Sequence, residues 1–317
     1  MFADIINNIN EKQLSILVIG DLMLDKFIFG NVNRISPEAP VPIVKLKKEE
    51  QMLGGCGNVI RNLNNLGVTT KLISVVGRDS PGDLLIKKLL EKEIPIDNVL
   101  RLDNIRTTEK MRIVADRQQV VRVDCDMNRL TIDSIDTLIT NMPKCIKKIN
   151  GIIISDYAKG VCSELFLKKV IKLSSDKKIP VYIDPKGSDW EKYKDADLIT
   201  PNTSETEAVL GQKLENDKDF EMAGKKICSA FNIKACLITR GSDGMSLIRQ
   251  KNIIHLKSEA KEIFDVSGAG DTVIAAMATG LLTGADYKKV LEFSNAAAGI
   301  VVGHVGTSAI TIEELLN

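Results

Sequence analysis

Asp265-Val266-Ser267-Gly268-Ala269-Gly270-Asp271 runs directly into the apolar-periodic segment 272–282, and this junction decides how the chain is read. Gly268 and Gly270 carry no side chain to block a ligand from the backbone, and the first N–H groups of the helix that follows find no partner within it. Such a helix entrance seats an anion. A carboxylate at the seat, Asp271, disfavours plain phosphate binding but suits a general base that takes a proton from a hydroxyl attacking phosphorus. The same residues also describe an N-cap and loop before a core helix. The rest of the chain must choose.

The 317 residues suffice for a large core. Lys+Arg 43 against Asp+Glu 42 leave a net charge of +1, so no overall field recruits nucleic acid or an anionic membrane. Apolar runs such as 16–19 and 151–154 are strand-length, and residues 1–12 show no signal-peptide pattern, so a cytoplasmic protein without membrane segments is expected. The six cysteines form no Cys-x-x-Cys pair and there are only two histidines, His255 and His304, which favours buried reduced thiols over a structural zinc site.

Segment 15–20 is a β-rich run ending at Gly20-Asp21, with Asp25 four residues on. The carboxyl end of a strand is where α/β proteins bind ligands. Asp21 and Asp25 either hold sugar hydroxyls there or are a turn aspartate and a solvated carboxylate; these residues alone leave both open. Segments 27–32 and 42–46 alternate, and Pro37, Pro40 and Pro42 between them exclude a helix, so a hairpin-type excursion is expected. Gly54-Gly55-Cys56-Gly57-Asn58 opens the helical pattern Val59, Ile60, Leu63, Leu66. Ile60 stands at the third glycine of the dinucleotide fingerprint, which excludes that motif. Asn58 is a candidate for a sugar hydroxyl or an N-cap. Segment 107–124 alternates about a turn near Asp116-Arg117, a second antiparallel excursion. Lys110, Arg112, Arg117 and Arg122 make it cationic, either as a solvated face or as a seat for a phosphate-bearing substrate.

Downstream, helices at 133–148, 163–175, 203–210 and 220–231 alternate with strands at 151–155, 181–184, 198–200 and 236–239. That rhythm predicts an α/β fold, a parallel sheet with helices on both faces, as one domain over 1–317 with a small β-lid from about 26–49 and 106–124. The strand ends carry Asp156, Asp184-Pro185-Lys186, Asn202 with Glu205, and Thr239-Arg240-Gly241. Lys186, after a proline-fixed turn, is either phosphate-facing or a surface lysine. Glu205, in a first helical turn, either answers the macrodipole or orients Mg²⁺-bound waters.

Gly54-Gly55 with Asn58, Asn202 with Glu205, and 265–271, in that order, resemble the ribokinase-like (PfkB) carbohydrate kinases over nearly the whole chain. Val266 stands where the family's Asp-Thr-x-Gly-Ala-Gly-Asp has threonine. Gly20-Asp21-Leu22-Met23-Leu24-Asp25, segment 34–42, Gln118-Gln119 with Arg122 and Asp124, and Asp184-Pro185-Lys186-Gly187 resemble the branch acting on D-glycero-β-D-manno-heptose 7-phosphate. Cys56-Gly57 departs from the small alanines usual there.

The resemblance implies a central, mostly parallel sheet flanked by helices, and a β-lid that is also a homodimer contact. It implies ATP with Mg²⁺, and transfer to the anomeric hydroxyl of the heptose 7-phosphate, a step toward ADP-heptose for lipopolysaccharide cores. Asp271 would take the proton, and Gly268, Ala269 and Gly270 would offer N–H groups to the moving phosphoryl. Asn202 and Glu205 would lie near the ATP phosphates and Mg²⁺, Thr239, Arg240 and Gly241 along the nucleotide, and Asn295 near the adenine. Asp21, Asp25, Gly54, Gly55, Asn58 and Lys186 would face the sugar. Charge and lid position assign the 7-phosphate to Lys110, Arg112 or Arg117. A monovalent cation, K⁺, near Asp265 and the 303–308 loop is a family habit. Bifunctional relatives add a nucleotidyltransferase domain with a His-x-Gly-His motif, absent from these 317 residues, so the single-function form is expected. Another sugar or nucleoside kinase competes with this reading, as does a non-catalytic sensor, against which the intact Asp271 argues. No Gly-x-x-x-x-Gly-Lys-[Ser/Thr] occurs, which excludes a P-loop enzyme.

Overall fold

The computed structural model describes residues 2–116, 118–127, 129–250, 252–260, 265–304, 306 and 308–316. The chain opens with α1 (Ala3–Lys12), β1 (Ser15–Gly20), β2 (Leu22–Ile35), β3 (Pro42–Gly55), α2 (Cys56–Asn65), β4 (Thr69–Gly77), α3 (Ser80–Glu91) and β5 (Val99–Leu102). It continues through β6 (Glu109–Ala115), β7 (Gln118–Cys125), α4 (Ile132–Cys145), β8 (Gly151–Ser155), α5 (Glu164–Asp176), β9 (Val181–Asp184) and β10 (Leu198–Ile199). The last part holds α6 (Thr203–Leu210), α7 (Asp217–Ala230), β11 (Cys236–Thr239), β12 (Met245–Arg249), β13 (Asn252–Leu256), α8 (Ala269–Leu282), α9 (Tyr287–Val301) and α10 (Ile312–Leu316).

The apolar run in β1 is buried because β4 and β8 pair with it in parallel on either side. Successive side chains serve opposite faces: Ile16 and Val18 join a core containing residues of α2, α8 and α9, while Leu17 and Ile19 join one containing residues of α4, α5 and α7. The nine-stranded sheet has the order β13-β12-β11-β10-β9-β8-β1-β4-β5, and its pairs are parallel except β11–β12 and β12–β13 at one edge, where β12 runs against the rest. The expected α/β class is therefore the observed one. From Asp271 to Gly280 every residue of α8 is buried, so this helix is wrapped on all sides, packing on α2, α9, β8 and β9.

One residue after β1, strand β2 begins a second sheet of order β3-β2-β6-β7, the lid. β2 pairs antiparallel with β3 and parallel with β6, and the β2–β3 register slips between Phe29 and Gly30 and between Val32 and Arg34. Alternation located the lid but shortened it: β3 continues through the mostly exposed Lys45–Glu49 stretch to Gly55, and a strand with solvent on it carries no apolar alternation to read. Helix α4 stops at Cys145, short of the expected 148, with Pro143 in its last turn. All six cysteines are free, and no helix among the described residues is long and apolar enough to cross a membrane.

Candidate active site

Gly268 caps α8 with φ 83, a left-handed backbone, and the first bond closing the helix runs from Thr272 N–H to Gly268 O at 3.0 Å. The N–H groups of Gly270 and Asp271 lie ahead of that bond. Ala269 N–H instead closes a turn on Val266 O at 3.3 Å. A methyl group placed on Gly270 would meet only Asp184 Oδ2, at 4.0 Å, so the front of the helix is open.

Asp271 is buried, and both its oxygens are engaged. Asn58 Nδ2 donates to Oδ2 at 3.0 Å and the Tyr157 hydroxyl donates to Oδ1 at 2.9 Å. Burial is the chief force pushing its pKa up, to about 6; the Asn58 and Tyr157 bonds oppose the rise, Asp25 adds to it and Lys110 opposes it. Asn58 itself is braced from one turn on: Asn62 Nδ2 donates to Asn58 O at 2.9 Å, while Asn62 Oδ1 accepts from Thr272 Oγ1 and Ile310 N–H, each at 3.1 Å.

The lid delivers charge to the same place. Asp25 on β2 and Lys110 on β6 are register partners, and Arg112 Nη1 donates to Asp25 Oδ1 at 2.7 Å. The Lys110 ammonium stands 5.1 Å from the centre of the Tyr157 ring, and burial lowers its pKa against the pull of Asp25. Asp25, Asn58, Lys110, Arg112 and Asp271 thus gather around Tyr157, a residue the sequence reading passed over. Its one signal was its place two residues beyond the end of β8.

Four of the residues expected to face the sugar are engaged within the protein. Asp21 is fully buried, and its carboxylate accepts N–H bonds from Tyr157 at 2.9 Å and from Lys159 and Val161 at 3.0 Å, so it ties β1 to the loop after β8. Gly54 and Gly55 are required by packing: a Cβ on Gly54 would lie 2.1 Å from Asp25 Oδ2, and one on Gly55, at φ +58, 2.3 Å from Asp21 O. Lys186 lines the other cavity and donates to Glu205 Oε1 at 2.7 Å, because Pro185 turns the chain toward α6. Arg117 lies outside the described residues.

That other cavity, of about 700 Å³, brings Asn202, Glu205, Thr239, Arg240, Gly241 and Asn295 together with Gly270. They converge because β9, β10 and β11 end there. Asn202 and Glu205 form a capping box: Glu205 N–H donates to Asn202 Oδ1 at 2.8 Å and Asn202 N–H to Glu205 Oε2 at 3.0 Å. Capping and the Lys186 bond account for the Glu205 carboxylate as the structure stands. Asn295 Nδ2 donates to Lys257 O at 2.8 Å. Arg240 Nη1 reaches Asp217 Oδ1 at 2.5 Å and Ser246 Oγ at 3.1 Å, while its buried Nε finds no partner among the described residues. Asp184 is half-buried in the same wall, its pKa driven well up by desolvation, then by Asp271 and Glu205.

Two further acidic sites are engaged by groups of the protein itself. Asp265 accepts from Ser267 N–H at 2.8 Å and from Gly306 N–H at 3.2 Å, anchoring a loop in which residues 305 and 307 lie outside the described residues. Asp21, Asp156 and Cys162 approach one another closely, but Asp156 already accepts from Lys192 at 2.5 Å, Tyr193 at 2.6 Å and Ala158 N–H at 2.7 Å.

The sequence matches the pfkB family carbohydrate kinase pattern over residues 13–314. It is 43% identical over 303 residues to bifunctional protein HldE of Actinobacillus succinogenes, covering 95% of this chain and 63% of that protein. It is 42% identical over 307 residues to bifunctional protein HldE of Pasteurella multocida, covering 96% and 63%. The chain spans less than two thirds of the length of these relatives. Among solved structures, Escherichia coli phosphofructokinase-2 in complex with substrates and products superposes with a TM-score of 0.80 at 19% identity, over 96% of this chain and 97% of that one. Arabidopsis thaliana ribokinase complexed with ribose and ATP gives 0.74 at 19% identity, over 96% and 97%. With the motif order, the sheet topology and these matches in agreement, the chain belongs to the pfkB family of carbohydrate kinases.

Proposed function

We propose that the chain transfers the γ-phosphoryl group of ATP to the anomeric hydroxyl of D-glycero-β-D-manno-heptose 7-phosphate, giving the 1,7-bisphosphate for ADP-heptose supply. The observation that carries this reading is the placement of Asp271 between an open cavity at the front of α8 and the cations of the lid. With its pKa near 6, the carboxylate is ionised at neutral pH and takes the hydroxyl proton as oxygen bonds to phosphorus and the bond to the ADP oxygen breaks. Asn58 and Tyr157 hold the base in line, and the Gly270 and Asp271 N–H groups face the charge that develops.

The cavity residues fit a nucleotide. Arg240 Nε is a buried donor without an acceptor among the described residues, and methyl groups placed on Gly241 or Gly270 would meet nothing closer than 4.0 Å. Asn202 and Glu205, with Asp184 beside them, would hold Mg²⁺ through its waters, and the ion would offset phosphate charge. Lys186 is free to leave Glu205 for a phosphate oxygen, since its side chain is half exposed. Lys110 and Arg112 provide the cationic seat for the 7-phosphate. K⁺ beside Asp265 belongs to the same proposal and is checked by exchanging K⁺ for a bulky organic cation in the assay. Ile35, Val41, Leu46, Val121 and Val123 are exposed apolar residues of the lid, which supports a homodimer through it, checked by sedimentation.

The deciding experiment is a product assay with heptose 7-phosphate beside ribose, fructose and fructose 6-phosphate. A strong preference for the heptose phosphate is expected; equal turnover of all four refutes the substrate named here.

A further inference from the structure

We infer that Tyr157 is the positioning residue for Asp271: its hydroxyl holds the carboxylate, and its ring is held in turn beneath the Lys110 ammonium of the lid. The inference rests on Asp271 being the base, and it does not depend on which sugar is phosphorylated.

The backbone at Tyr157 is fixed from both sides. Its own N–H donates to Asp21 Oδ2 at 2.9 Å, and the next residue, Ala158, takes a left-handed φ of 56 while its N–H donates to Asp156 Oδ1 at 2.7 Å. A non-glycine residue in that region turns the chain sharply and is held there by its surroundings. The turn throws the Tyr157 side chain across the front of α8, where its hydroxyl meets Asp271 and its ring meets the lid. Burial and the neighbouring Asp271 both push the phenol pKa up, so the proton stays on tyrosine and the hydroxyl donates.

The charged and titratable groups that face Asp271 come from every element around it. Asp25 and Lys110 face it from the lid, Arg61 and Cys56 from α2, and Asp184 from β9, with Tyr157 from the loop after β8. Asp25 and Asp184 favour the protonated acid; Lys110, Arg61 and the Tyr157 hydroxyl favour the carboxylate. Lys110 contributes directly and also steadies the ring whose hydroxyl contributes.

The test is carbon NMR of the whole chain labelled with [¹³Cγ]aspartate, with Asp271→Asn used to identify the resonance. Tyr157→Phe, which removes one oxygen and leaves the ring, should shift the Asp271 titration upward by roughly one pH unit, the scale of a lost hydrogen bond to a charged group. Lys110→Met should move it the same way, and the acid limb of kcat should follow in both. Should the phenylalanine variant not fold, 3-fluorotyrosine at 157, a more acidic donor, should shift the titration downward. An unchanged titration in Tyr157→Phe, or an upward shift with fluorotyrosine, overturns the inference. The titration is read on the free protein, so absence of heptose turnover in the wild type would refute the substrate assignment and leave this result legible.

Discussion

Asn58 and Asp271, 213 residues apart in sequence, are joined by a hydrogen bond of 3.0 Å between the first turn of α2 and the first turn of α8. That bond fixes the carboxylate without neutralising it. Asp271→Asn therefore keeps the pocket's shape and loses the proton acceptor: kcat should fall by roughly a hundredfold or more, while calorimetry shows ATP and sugar phosphate still binding. Near-normal turnover would remove Asp271 from the chemistry.

The raised pKa of Asp271 sets a pH dependence whose sign is fixed. Because only the carboxylate accepts a proton, kcat/KM should climb as pH rises through about 6. Stability runs the other way. The folded pKa of about 6 exceeds the ordinary 3.8, so the folded state binds this proton more tightly, and that contribution is lost as pH rises through 6. Asp271→Asn should accordingly be more stable than the wild type at pH 8 by roughly 2–3 kcal/mol and show little advantage near pH 4. Urea unfolding at the two pH values reads the difference.

Asp21 should prove a stability residue. Asp21→Ala leaves three N–H groups, one buried and two partly buried, without their acceptor, and the expected loss is about 3–5 kcal/mol in urea unfolding. A loss under about 1 kcal/mol would mean that water replaces the carboxylate.

The two sides of the site should separate in kinetics. Neutralising Lys110 and Arg112 together should raise the KM for the sugar phosphate about tenfold or more and that for ATP little, the scale of charge-assisted bonds to phosphate. Arg240→Met should do the converse. An unchanged sugar KM in the first variant would take the lid away from the phosphate.

The sequence was most informative where burial constrains composition. Uninterrupted apolar runs located β1 and β8, and the prolines of segment 34–42 with the alternation of 107–124 located the lid. It was least informative where the partner of a side chain is backbone or comes from a distant loop. Nothing in Gly20-Asp21 announces three amides beyond β8, and nothing in Ser155-Asp156-Tyr157 announces a phenol that reaches α8. A strand end and a proline-fixed turn marked Lys186 as phosphate-facing or a surface lysine; they predict position along the chain, not the bond to Glu205. Glycines 54 and 55 have a packing reason that composition does not reveal, as they make room for Asp25 and Asp21.

The single residue between β1 and β2 is Asp21, and its carboxylate is gripped by the loop after β8. The lid therefore has no slack at its base, and a strand of the central sheet continues into it as a beam clamped at one end. Compliance begins farther out, at the slips in register beside Gly30 and Val32. Asp25 and Lys110 lie on the stiff inner span, so bending of the outer lid can admit a substrate while the charges nearest the base keep their places.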